Sequence, residues 1–146
     1  MPIIVDAWNL IRTDRSPIDD AGGDALSAAA DLIDCFERYQ RTHGDPVILV
    51  FDSAREHLGV AHTNTEKLRV VAARNADAYI KKYIDAVPER QRRNLRVVSS
   101  DNEVYYHAKS SYATPIRSDE FWGVLSGSGG AGRGARGRKK RRSDYA

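Results

Sequence analysis

Three apolar runs in this chain end on an aspartate. Pro2-Ile3-Ile4-Val5 leads to Asp6, Val47-Ile48-Leu49-Val50-Phe51 to Asp52, and Leu95-Arg96-Val97-Val98-Ser99-Ser100 to Asp101. A fourth carboxylate, Asp77, opens a segment of helical pattern. Short apolar runs alternating with helical patterns predict buried parallel strands. In such a sheet the C-terminal strand ends converge on one rim, where open α/β sheets place their sites. Carboxylates gathered there repel one another and lose hydration, a cost that a divalent metal ion offsets. The arrangement therefore points to a metal-dependent enzyme. Each acid also has an ordinary explanation. Asp6 and Asp52 can satisfy loop backbone donors, and Asp77 and Asp101 suit the first turns of helices, where the dipole favours an acid. Three strand ends and one helix start facing one rim carry the signal together. Asn9, just past the first strand, can orient a phosphate or a water, or hold its loop in an Asx-turn.

The elements that must position these residues follow from periodicity. Strands are expected at Ile3 to Val5, Val47 to Phe51, Leu68 to Ala72, Leu95 to Ser99 and Thr114 to Arg117. The segment Ala7 to Gly23 reads as a loop on the active rim. Asp24 can cap a helix from Ala25 to about Arg41 with the inner stripe Leu26, Ala29, Ala30, Ile33 and Phe36, stopped at His43-Gly44. Ser53 to Glu66 reads as irregular. Asn75 can cap a helix from Ala76 to Ala86 with Ala76, Ile80, Tyr83 and Ile84 inward. Ser100 with Glu103 has capping-box spacing for a helix to about Ser111, and Ser118 to Leu125 forms a final turn or helix.

The chain has 146 residues, enough for one domain with a core. No apolar run approaches the roughly 20 residues needed to span a bilayer. The first residues enter a strand pattern with no secretion signal, and the single Cys35 excludes an internal disulfide, so a cytoplasmic location is expected. Cys35 reads as a small buried hydrophobe more than a nucleophile. His43, His57, His62 and His107 have no zinc-ligand spacing, and no phosphate-binding glycine loop is present. The formal charge of +3 conceals a division. Residues 1–125 hold 16 Lys+Arg and 19 Asp+Glu, whereas residues 126–146 hold seven basic residues and one acid. That Gly/Ser/Arg-rich tail has almost nothing to bury and is expected to be disordered. Its cations Arg133, Arg136, Arg138, Lys139, Lys140, Arg141 and Arg142 suit a polyanionic partner, the counterion release from a phosphate chain being large. A purely solubilising tail is the bland alternative.

At this point the residues resemble a family. Ile4-Val5-Asp6-Ala7-Trp8-Asn9-Leu10-Ile11 is similar to the opening "VDGYN" element of YacP-like NYN domains, ribonucleases of the PIN-like superfamily. Val50-Phe51-Asp52-Ser53 resembles the family's second acidic strand end, and Asn75-Ala76-Asp77-Ala78-Tyr79-Ile80 its "TADDYIE" helix start. Val97-Val98-Ser99-Ser100-Asp101 resembles its "VATSD" strand end, and Ile116-Arg117-Ser118-Asp119-Glu120-Phe121 its terminal Ser-x-x-acid element. The ordered set spans about residues 3–122. The chain departs from the pattern at Ala7, Trp8, Ala78 and Lys81, and at Val104, where an acid is usual and Glu103 stands one place early.

The resemblance implies a PIN-like, three-layer α/β/α fold with a central, mostly parallel sheet of four to five strands over residues 1–125. It also implies a metal-dependent endoribonuclease acting on single-stranded RNA with Mg²⁺ or Mn²⁺. Asp6 and Asp101 would be the principal metal ligands, Asp52 and Asp77 additional or water-mediated ones, and Asn9 and Ser100 would position substrate or water. Arg12, Arg55, Arg74 and Lys109 are candidate phosphate contacts, and Trp8 and Tyr105 candidate base-stacking rings. The partner class is RNA, with mRNA and ribosome-associated RNA both admitted, and no membrane. Other readings remain open: a non-catalytic RNA-binding module, a structure-specific DNA nuclease, and a receiver-like module that gathers aspartates at a similar rim. Oligomeric state is not legible.

Overall fold

Five short runs dominated by Val, Ile and Leu form the strands β1 (Ile3–Asp6), β2 (Val47–Asp52), β3 (Leu68–Ala73), β4 (Arg96–Val98) and β5 (Thr114–Ile116). Between them lie α1 (Ala7–Ile11), α2 (Ala25–Tyr39), α3 (Ala76–Ala86), a 3-10 turn over Glu89–Asn94, α4 (Asn102–Ser110) and α5 (Ser118–Ser128). This computed structural model describes residues 1–18, 24–54, 59–60 and 62–128. The strand order is β3-β2-β1-β4-β5, with every neighbouring pair parallel. The chain runs outward from β1 through β2 to β3, then crosses back to place β4 on the other side of β1. The order therefore reverses between β1 and β4, and open α/β sheets bind ligands in the crevice at such a point.

All four residues of β1 are buried, because helices cover both faces of the sheet. Ile3 and Val5 face one layer with Val47, Leu49, Phe51 and Val98, against α1, α2 and α5. Ile4 faces the other with Ile48, Val50 and Val97, against α3 and α4. This is the expected three-layer α/β/α architecture, and the sheet is wholly parallel. Among the described residues no helix is long and apolar enough to cross a membrane.

Local chemistry sets the helix starts. Asp24 accepts from the Leu26 N–H and Asn75 from the Ala78 N–H, so both predicted caps form. Other expectations are corrected. Ala7–Ile11 is a helix where a loop was expected, because Ala7, Leu10 and Ile11 share one buried face against α2 and α5. The inner face of α2 is Ala28, Ala29, Leu32, Ile33, Phe36 and Tyr39. Leu26 is 44% exposed and Ala30 is exposed, so the stripe is rotated from the predicted one, a shift that i, i+3, i+4 spacing alone does not decide. The helix stops at Tyr39, ahead of His43-Gly44, where the Gln40 side-chain amide donates to the carbonyls of Asp45 and Lys67. Tyr83 is half-buried beside the Ile80–Ile84 stripe. Helix α5 continues to Ser128, three residues past the expected Leu125.

Helix α4 ends in a Schellman turn: Ala113 N–H donates to Ala108 O at 2.9 Å and Tyr112 N–H to Lys109 O at 3.2 Å. The left-handed position of that turn is held by Tyr112 at φ 69°, where a Cβ is strained. Its side chain is 67% exposed and contributes little packing in return. Tyr112→Gly should therefore raise stability by up to about 1 kcal/mol. A urea or thermal melt checks it, and a lowered midpoint would show that the ring contributes more than the strain costs.

Candidate metal centre

The C-terminal ends of β1, β2 and β4 and the first turn of α3 bring the predicted aspartates to one rim. Asp6 closes β1 and is buried, at 7% exposure. Its Oδ2 accepts from the Ser99 hydroxyl at 3.1 Å. Burial raises its pKa to about 6; the Ser99 hydrogen bond opposes that rise, and the neighbouring charges of Asp77 and Asp101 add to it. Asp77 is also pushed upward, by burial first and then by Asp101, with Lys81 pulling it back and Glu103 and Asp52 adding repulsion. Asp6 thus feels Asp77 and Asp101, while Asp52 acts on Asp77.

Its tightest part contains a residue that sequence reasoning set aside. Carboxylate oxygens of Asp77, Asp101 and Glu103 lie within 4.8 Å of one another. Glu103 stands one place ahead of the family's acidic position, yet the first turn of α4 swings it back to the cluster. Asp52 ends β2 with an exposed side chain, outside this trio but close enough to act on Asp77. Lys81, one turn along α3 from Asp77, pairs with Glu103 at 3.6 Å.

The capping-box expectation is corrected. Asp101, not Ser100, caps α4, its Oδ1 accepting from the Val104 N–H at 3.2 Å. The Ser100 hydroxyl is already engaged, accepting from the Ser118 N–H at 3.0 Å. Asn9 likewise braces the site: its Oδ1 accepts from the Ser100 N–H at 2.8 Å and from the Ser118 hydroxyl at 2.6 Å. One amide oxygen thus ties α1, the β4 end and the start of α5 together. Ser99 accepts from the Asp101 N–H at 3.1 Å while donating to Asp6, so it links the two central acids. Ser99 and Ser118 are both buried, and sequence reasoning gave neither a role. The signal available was their place, Ser99 beside the last strand-end aspartate and Ser118 at the head of the terminal motif.

The remaining candidates scatter. Arg12 lies over the Trp8 ring at 5.0 Å, and Arg74 is exposed on the turn into α3 at the same rim. Lys109 sits in the last turn of α4, roughly 12 Å along the helix from the acids, and does not join the rim. Trp8 packs edge-on to Phe51 and donates Nε1–H to Asp52 O at 3.0 Å, so its ring serves as wall. His62 contacts Leu68 O at the far end of β3. Burial pushes the Cys35 thiol upward, against a nucleophilic role. Arg55, His57 and the tail cations from Arg133 to Arg142 lie outside the described residues.

The donor set is all carboxylate oxygen, which suits a hard divalent cation and not a thiophilic one. Buried Asp6 and the repelling trio are destabilising alone and are relieved by a cation, so the residues fit a divalent metal.

A family model, the YacP-like NYN domain, matches residues 3–143. Among solved structures, the fold is similar to the crystal structure of Rae1 (YacP) from Bacillus subtilis, with a TM-score of 0.71 and 22% identity over 90% of this chain and 76% of that one. A tryptophan-to-leucine mutant of the same protein superposes with a TM-score of 0.67 and 20% identity over 90% and 77% of the two chains. At that identity the likeness carries the fold alone. A comparison with curated proteins finds no match.

The raised Asp6 pKa has a signed consequence. Between the ordinary value of 3.8 and about 6 the folded chain holds a proton that the unfolded chain releases, so apo stability falls as pH rises through that window. Asp6→Asn should remove this component and melt higher than wild type above pH 6 without metal. Thermal melts at pH 4 and pH 7 with chelator check it. Equal melting of the two proteins at pH 7 would mean that the Asp6 carboxylate is not penalised.

Proposed function

The chain belongs to the YacP-like NYN domain family, and from that premise we propose that it is a metal-dependent endoribonuclease that hydrolyses single-stranded RNA. The observation that carries the reading is the Asp77, Asp101 and Glu103 oxygen trio beside buried Asp6, at the point where the strand order reverses. The family is generally one of nucleases, and a donor set of this kind holds Mg²⁺ or Mn²⁺ with several coordination positions left to water and substrate phosphate.

Asp6 and Asp101 are the principal ligands, with Asp77, Glu103 and Asp52 around them. A bound ion supplies the positive charge that a phosphodiester under attack requires. The chain's own part is preorganisation. Ser99 fixes the Asp6 carboxylate and the Asp101 backbone in one unit. The cap to Val104 engages Oδ1 of Asp101 and fixes the group at the head of α4. Asn9, Ser100 and Ser118 lock the surrounding loops, so Asn9 acts here as a positioning residue. The basic tail supplies affinity for the RNA backbone, and the acidic domain the cutting site. A cytoplasmic location and RNA as partner, mRNA or ribosome-associated, belong to this reading.

One observation favours a second reading. Lys81 places a cation against Glu103 and Asp77, where the family pattern has an acid, and that weakens the field for metal. A non-catalytic RNA-binding module would keep the fold in this way. Incubation of labelled single-stranded RNA and DNA with Mn²⁺, Mg²⁺ or EDTA separates the two readings and also decides the sugar.

Asp6→Asn and Asp101→Asn should each lower Mn²⁺-dependent cleavage at least about 100-fold, since several kcal/mol of charge stabilisation is lost. Both should also reduce the thermal stabilisation that Mn²⁺ gives the wild type. Asparagine still caps a helix, so Asp101→Asn keeps α4 intact. Full activity in either variant would remove the assigned site.

Truncation after Ser128 should weaken single-stranded RNA binding and flatten its salt dependence while saturating turnover holds. Losing four phosphate contacts would lower the log–log slope by roughly 3. An unchanged slope would make the tail a passenger.

A further inference from the structure

Arg117 is held at the acidic rim by more contacts than its position at the end of β5 requires. Its N–H donates to Glu120 Oε1 at 3.2 Å and its carbonyl accepts from Phe121, so its backbone caps α5. Its side chain turns the other way. Nη1 donates to Ser100 O at 3.1 Å and to Asn102 Oδ1 at 3.0 Å, the two sequence neighbours of Asp101. The guanidinium carbon lies over the Tyr105 ring, 3.7 Å from its centroid, and 5.8 Å from that of Tyr106. The same cation is thus fixed on three sides, while its Nη2 and Nε edge meets no acceptor among the described residues.

Tyr106 adds a second feature. It is 54% exposed, packs edge-on to Tyr105 at 5.2 Å, and stands one helical turn beyond Glu103 on α4. A fixed guanidinium and an open aromatic face therefore adjoin the carboxylates. An acidic rim on a domain of net negative charge repels a polyanion. Substrate can seat there only where a cation is already in place, and an immobilised guanidinium loses little entropy on binding phosphate. Exposed tyrosines beside such a cation are how proteins hold unpaired bases.

We propose that Arg117 and Tyr106 form a nucleotide subsite flanking the metal centre, in which the free guanidinium edge takes a phosphate and the Tyr106 ring takes an unpaired base. This rests on the nuclease reading for its meaning but not for its test. Bases within a duplex are already stacked and cannot reach the ring, so the subsite selects single strands.

The test is binding of a fluorescent ten-nucleotide single-stranded RNA and of a matched duplex to the full-length chain in EDTA. Salt is set high enough to suppress the contribution of the basic tail. Tyr106→Ala and Arg117→Ala should each weaken single-strand binding at least about fivefold. Arg117→Ala should also flatten the salt slope by about 0.7, whereas Tyr106→Phe should bind as wild type. Duplex binding should be indifferent to Tyr106→Ala, and Mn²⁺ affinity by calorimetry should be unchanged in the tyrosine variants. If Arg117→Ala disturbs the fold near Asp101, Tyr106→Ala decides, because its ring is exposed. Wild-type single-strand affinity in Tyr106→Ala, or an equal loss for duplex and single strand, overturns the subsite. A wild type that binds RNA but no Mn²⁺ overturns the nuclease reading and leaves this comparison standing.

Discussion

The burial of one carboxylate organises this molecule. Asp6 ends the central strand of a sheet covered on both faces, so its charge meets little water and four other acids, Asp52, Asp77, Asp101 and Glu103, act on it or on its neighbour Asp77. That placement opposes folding. It is sustained because the rest of the sheet is apolar and continuous, with Ile3, Ile4 and Val5 fully buried directly before it. A strand of three buried aliphatic residues contributes several kcal/mol of burial, enough to carry one penalised group at its end. The penalty falls on the charged form of the carboxylate, so an opposite charge at the rim would relieve it.

Rigidity at the rim comes from polar side chains that spend their capacity on backbone. Ser99 links Asp6 to the Asp101 backbone, Asn9 links α1 to the end of β4 and the start of α5, and Trp8 reaches across to the end of β2. Trp122 completes the set by donating to Leu10 O at 2.8 Å, fastening α5 to α1. Each bond is modest alone, about 1 kcal/mol net. Together they leave four loop ends little freedom to move apart when the acids repel. Preorganisation of this kind matters more to a charge-stabilising site than any single ligand.

The opposite rim is stabilised differently. Asp45 accepts from the Tyr39 hydroxyl at 3.1 Å, from Arg96 at 2.8 Å and from the Met1 amino group at 3.2 Å. Here opposite charges meet and the starts of β1, β2 and β4 are drawn together. The sheet is thus fastened by attraction at one end and carries repulsion at the other. A parallel arrangement makes this possible, since all strand starts share one rim and all strand ends the other.

Much of this was legible in the chain itself. Alternating apolar runs and helical patterns gave five strands, their parallel sense and three of the four long helices, because burial on both faces leaves a strong periodic signal. The strand-end positions of Asp6, Asp52 and Asp101, the Asn75 cap before Asp77 and the ordered family motifs gave the acidic rim. What the chain could not show was which polar groups meet across long sequence separations. That Asn9 would accept from Ser118, that Ser99 would join two acids, and that Glu103 would return to the cluster despite its offset are consequences of docking α4 and α5 on the sheet. The same packing turned Ala7–Ile11 into a helix, rotated the buried face of α2 and laid Arg117 over Tyr105. Local pattern determined which segments became strands and helices. Tertiary contact decided what each side chain faced, since hydrogen-bond partners and burial are set by surfaces that meet only after the elements have formed.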